Sequence, residues 1–110
     1  MGGRETGDSG RRVDHFVELR ADAKFDLVSA HEYYEQRRAG LGRDFIMSIA
    51  DSIEQIRVAP RMFAIVHRDV RQFVVRRFPY VIYYIVDGDV IEVIAVFHAK
   101  RDPSPFRNRT

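Results

Sequence analysis

Residues 80–98 read YVIYYIVDGDVIEVIAVFH, and the reading of this stretch decides the fold. Two apolar runs of period two flank Asp87-Gly88, a dipeptide that favours the tight turn of a β-hairpin. With those two residues as the loop, Val86 faces Asp89 and, further along, Arg77 faces His98. In that register Tyr80, Ile82 and Tyr84 share a face with Ile91, Val93 and Ala95, and Phe97 joins them as core. This face is apolar enough to cover a second layer. The other face carries Val81, Tyr83 and Ile85 beside Val90, Glu92, Ile94, Val96 and His98. A solvated sheet surface is normally more polar than this, which marks the face as a place for a partner.

Working back from the hairpin, residues 70–76 alternate in the same way and form the preceding strand. A turn or kink falls near Arg77-Phe78-Pro79, because proline cannot donate within a ladder. Before residue 65 the period becomes helical. Phe45, Ile49, Ile53 and Ile56 make the stripe of a helix over 42–58 that Pro60 ends. Ala23, Leu27, Ala30 and Tyr34 make the stripe of another over 22–39, stopped by Gly40. Asp22 and Asp26 lie near its N-terminal end and Arg37 and Arg38 near its C-terminal end, as the helix dipole prefers. All four read as surface charges, as do Glu32 and Glu35. The link Gly40-Leu41-Gly42 is short enough to make the two helices an antiparallel hairpin. Residues 13–19 alternate as a short strand. The class is α+β: an N-terminal strand, a helix hairpin, then an antiparallel meander of three to four strands.

The 110 residues suit one domain, spanning 13–110. Residues 1–12 carry glycines, acids and arginines and no apolar core of a signal peptide, and read as a disordered leader. There is no cysteine, which excludes a disulfide scaffold and a thiolate zinc site and fits a reducing cytoplasm. The longest apolar run is too short to span a bilayer. His15, His31 and His67 are scattered and form no ligand set with acids, so no metal is expected. No nucleotide-binding fingerprint points to a cofactor either. The net charge of +2 hides an asymmetry. Residues 1–60 hold nine Lys/Arg against eleven Asp/Glu, and residues 61–110 nine against five. A basic C-terminal half suits a polyanion or an acidic partner.

Several marks recur in one order: Asp26-Leu27, Tyr33-Tyr34, Gly40-Leu41-Gly42 with Phe45, then Pro60 and Asp69-Val70-Arg71. Arg77-Phe78-Pro79-Tyr80 follows, running into Ile82-Tyr83-Tyr84, and the chain closes on residues 93–98 (VIAVFH) with Arg101-Asp102-Pro103. From about Val13 to Pro105 this order resembles the RelE/ParE superfamily of toxins from type II toxin–antitoxin systems. The resemblance implies a toxin held inactive by a co-encoded antitoxin in a hetero-oligomer. The antitoxin's flexible segment would wrap it as helices or an added strand.

The superfamily divides by target, and the resemblance leaves three outcomes open. RelE-like members cut messenger RNA on the ribosome, ParE-like members poison DNA gyrase, and a degenerate member would keep antitoxin binding alone. A nuclease needs groups to move protons and cations to hold phosphate. Its candidates here are His98, Arg77, Arg71, Lys100 and Arg101, with Arg77 set beside the imidazole by the expected register. The basic half has a single lysine, and the tail after His98 has Phe106 and no tyrosine. Residues 78–84 (FPYVIYY) and 98–103 (HAKRDP) look more like ParE sequences, and the ParE-like branch is the one expected. Antitoxin contacts are expected at Tyr33 on the first helix and at Val81, Tyr83 and Ile94 on the outer sheet face.

Overall fold

A computed structural model describes residues 15–109. The expected leader, together with Val13 and Asp14 of the expected first strand, lies outside the described residues. The chain runs β1 (Phe16–Leu19), α1 (Ala21–Arg37), α2 (Leu41–Val58), β2 (Ile65–His67), β3 (Val70–Val74), β4 (Tyr80–Asp87) and β5 (Val90–His98). A 3₁₀ segment, Ser104–Arg109, follows. The strands form one sheet in the order β1-β5-β4-β3-β2. The last four are the expected antiparallel meander. β1 lies at the far edge and runs parallel to β5, Phe16 opposite Val90 and Leu19 opposite Val93. Among the described residues no helix is long and apolar enough to cross a membrane.

The helix hairpin forms where the spacing places it. Gly40 takes φ +88°, a conformation that costs a residue with a Cβ about 1 kcal/mol or more. The Glu35 carboxylate returns across the link and accepts the N–H groups of Gly40 and Gly42, both at 3.0 Å. Those two bonds hold its pKa below the ordinary glutamate value. At Gly42 the second helix lies close against the first. A Cβ there would lie 2.8 Å from the His31 carbonyl oxygen and 2.7 Å from its ring.

The hairpin packs on one sheet face. Ala23 and Ala30 of α1 and Phe45, Ile49 and Ile56 of α2 meet Phe73, Tyr80, Ile82, Tyr84, Ile91, Val93 and Val96. Tyr34, Phe45, Phe78 and Tyr80 interlock, most contacts being edge-to-face, with centroids 4.9–6.1 Å apart. The Tyr84 hydroxyl donates to the Pro60 carbonyl at 2.6 Å and ties the α2–β2 link to the sheet. Burial pushes the Tyr80 and Tyr84 phenols up to about 12.

The register of the central hairpin departs from expectation twice. The loop is Gly88-Asp89, with Asp87 opposite Val90. Gly88 is the first central residue at φ +62° and Asp89 keeps φ negative, the pattern of a type II′ turn. The sequence reading had put glycine second. This slip of two preserves the faces as far as Tyr84 and Val93. A bulge then follows: Tyr84 pairs with Val93, but Tyr83 pairs with Ala95, leaving Ile94 extra. Beyond it every side chain of β5 changes sides. Val96 replaces Ala95 in the helix-side core, and Ala95 and Phe97 join the opposite face. His98 faces Tyr80, so Arg77 is not its partner.

Candidate functional site

β1 ends at Leu19, so its side of β5 has no neighbouring strand beyond Val93, while β4 pairs with the other side as far as His98. The Arg20 N–H makes the last bond of that edge, to the Val93 carbonyl at 3.0 Å. Two side chains then take the place of a strand. Asp26 of α1 accepts the Val96 N–H at 3.0 Å, and the Arg109 guanidinium donates to the Ile94 carbonyl at 3.0 Å. The pair closes on itself, Arg109 Nη1 lying 2.7 Å from Asp26 Oδ2. Asp26 is only 7% exposed and Arg109 16%, so Asp26 is not the surface charge its place near a helix start suggested. Arg20 reinforces the edge by donating to the Arg109 carbonyl and to Glu92 Oε1. That contact lowers the Glu92 pKa and raises that of Arg20.

Arg109 belongs to the C-terminal segment, which crosses the sheet face away from the helices. Phe106 is buried on Tyr83, ring centroids 4.5 Å apart, and meets the His67 ring at 5.8 Å. Beneath it lie Val70, Val81, Ile94, Ala95 and Phe97. The apolar outer face read from the sequence is therefore covered by the chain's own tail. Of the four residues expected to meet an antitoxin, Val81, Tyr83 and Ile94 are buried there (9%, 6% and 0% exposed), and Tyr33 is open at 52%.

The five candidate catalytic groups do not form one set, because Arg71 is engaged elsewhere. His98 is half-buried, its ring 5.3 Å from that of Tyr80, and its Nδ1 accepts the Lys100 N–H at 3.1 Å. Lys100 and Arg101 are exposed beside it, with the Arg101 guanidinium 3.9 Å above the Phe97 ring. Arg77 is exposed in the β3–β4 turn. Arg71 pairs with Tyr84 while His98 pairs with Tyr80, four positions apart on β4 or about 13 Å by strand rise. The Arg71 guanidinium donates to the carbonyls of Arg61 and Phe63, at 3.0 and 2.7 Å. It holds the α2–β2 loop.

A groove of about 320 Å³ runs between α1 and the end of β5, lined by Phe25, Ser29, Tyr33, Tyr80, His98 and Arg101 among others. On its α1 wall Phe25 and Tyr33 stand exposed, and Arg37 covers the Tyr33 ring at 4.8 Å. Sequence reasoning missed Asp26, Phe106 and Arg109. For Asp26 a partial signal existed, since position 26 lies about 40° beyond the edge of the inward arc of Ala23, Leu27 and Ala30.

A two-helix layer on one face of the sheet and a C-terminal tail on the other define a small α+β domain. The same fold occurs in a solved structure of the chromosomal ParDE TA system from P. aeruginosa. The match has a TM-score of 0.71 and 14% identity, over 79% of this chain and 98% of that one. No curated protein matches the sequence. A family model described as ParE toxin of type II toxin-antitoxin system, parDE, matches residues 17–103. The chain belongs to this family of toxins.

Proposed function

We propose that the chain is neutralised by a co-encoded antitoxin and, once released, inhibits DNA gyrase by binding it rather than by catalysing a reaction. The observation that carries this reading is the separation of Arg71 from His98, about 13 Å along the sheet, which leaves the five candidate nuclease groups without one complete set. Arg71 is committed to two loop carbonyls, and the β4 partner of His98 is Tyr80, not Arg77. Tyr80, the phenol beside His98, stays protonated to about 12 and supplies no base near neutrality. Membership of the ParE family points the same way.

The antitoxin docks on α1. Its exposed Phe25 and Tyr33 form a stripe that an amphipathic helix covers with its own apolar face, and the groove beside His98 receives one anchoring side chain. The test is a supercoiling assay with purified gyrase and relaxed plasmid. Supercoiling falls as toxin is added and recovers with antitoxin. Normal supercoiling at saturating toxin overturns the gyrase reading, and codon-dependent cuts in messenger RNA from expressing cells would replace it with the nuclease branch.

A further inference from the structure

Three separate stretches bring seven basic side chains to one end of the molecule. Arg37 and Arg38 close α1 and Arg43 opens α2. Arg76 and Arg77 occupy the β3–β4 turn, and Lys100 and Arg101 follow β5. Phe78 joins the first two stretches by packing on Tyr34 at 5.0 Å and Phe45 at 5.4 Å. The Ala99 N–H joins the third by donating to the Pro79 carbonyl at 2.7 Å. All seven are exposed, and none makes an ion pair among the described residues.

The acids of the same stretches offset little of this charge. Glu35 holds the Gly40 and Gly42 N–H groups, Asp102 holds Ser104, and Asp44 sits in the first turn of α2. Seven bases against three acids leave four positive charges in excess. The opposite end of the strands carries Asp69, Asp87 and Asp89, all exposed, against Arg68. The small net charge conceals a dipole along the sheet.

We propose that this basic end binds the phosphodiester backbone of duplex DNA without reading its sequence. The site goes beyond the gyrase reading and is a property of the toxin alone. Unpaired, exposed cations spread over three loops match a polyanion of regularly spaced charges. Six of the seven are arginines, whose planar fork takes two phosphate oxygens at once. Single strands, by contrast, are held largely by stacking bases on open aromatic faces. Here the exposed ring of Tyr33 already carries Arg37, and Phe97 carries Arg101. What this end offers is charge, which positions a backbone and does not read bases.

The experiment is fluorescence anisotropy of the full chain with labelled duplexes of about 20 base pairs, at salt rising from roughly 50 to 200 mM. Two unrelated sequences bind alike. The logarithm of affinity falls linearly with that of salt, with a slope of about −3 to −5, as three to five phosphate contacts require. The variant Arg76→Ala/Arg77→Ala/Arg101→Ala loses about tenfold or more, with a shallower slope. Arg68→Ala at the other end binds as the parent does. Should the triple variant melt early, Arg38→Ala/Lys100→Ala reads the same loss. Absence of binding at the lowest salt overturns the proposal, as does an unchanged affinity in both basic-end variants. So does tighter binding of a single strand of equal length. Displacement of the duplex by poly-glutamate as readily as by unlabelled duplex would assign this end to an acidic protein instead.

Discussion

Removing Asp26 takes from β5 both the acceptor of the Val96 N–H and the counter-charge of Arg109. An orphaned buried N–H costs about 1–3 kcal/mol, and breaking a buried ion pair costs about 3–5 kcal/mol when the remaining charge stays buried. Arg109 sits in the last described turn and can follow the tail into water, which limits the second cost. Asp26→Ala is therefore expected to lose about 3 kcal/mol, below the sum of the two. For a domain of this size that corresponds to a fall in melting temperature of roughly 12–24 °C. Asp26→Asn keeps an oxygen for Val96 and loses less. Arg109→Ala leaves the Asp26 carboxylate with the Val96 N–H, and the double variant then costs less than the two single changes added. Urea denaturation of all four proteins measures a coupling of about 2 kcal/mol, within the range for contacting residues. A coupling below about 0.5 kcal/mol, the scatter expected of independent sites, would refute the clamp.

Other outcomes follow from the same geometry. Phe106→Ala empties the cover over Tyr83 and is expected to cost about 3 kcal/mol by chemical denaturation, near the low end for a buried ring because the tail can readjust. Gly42→Ala drives a methyl into the His31 carbonyl, which belongs to helix backbone and cannot swing aside. It should cost about 1–3 kcal/mol, whereas Ala39→Gly in the same link changes little. Glu35 has a folded pKa below its ordinary value of 4.5. Its contribution is therefore full above that pH and lost as pH falls through the folded pKa. The melting temperature should drop less steeply below pH 4.5 in Glu35→Gln than in the parent. Tyr33→Glu sets a charge in the exposed α1 stripe and is expected to weaken antitoxin binding about tenfold or more by calorimetry, with the fold unchanged. Equal affinity would move the antitoxin off this helix.

The periods of the sequence carried the architecture. Ala23, Leu27, Ala30 and Tyr34 recur at helical spacing and Tyr80, Ile82 and Tyr84 at strand spacing, and each set faces the core it implied. These signals are local, because a helix or strand must bury one face whatever else the chain does. The candidate site was less legible. Tyr33 stands exposed as read, but Arg71, read as a phosphate ligand, is a loop brace whose partners lie eight and ten residues away. Nothing near Arg71 in sequence distinguishes the two roles.

What the sequence by itself determined was the order of elements, the class of fold and the family marks from Asp26 to Pro103. The tertiary structure alone decided which side of β5 each residue faces beyond Val93. The extra residue at Ile94 leaves the alternation of apolar residues intact and only reassigns their partners. It alone decided what covers the outer face as well. The bond between Asp26 and Arg109 spans 83 positions, and no periodicity encodes a contact made only once the sheet has brought both ends of the chain together.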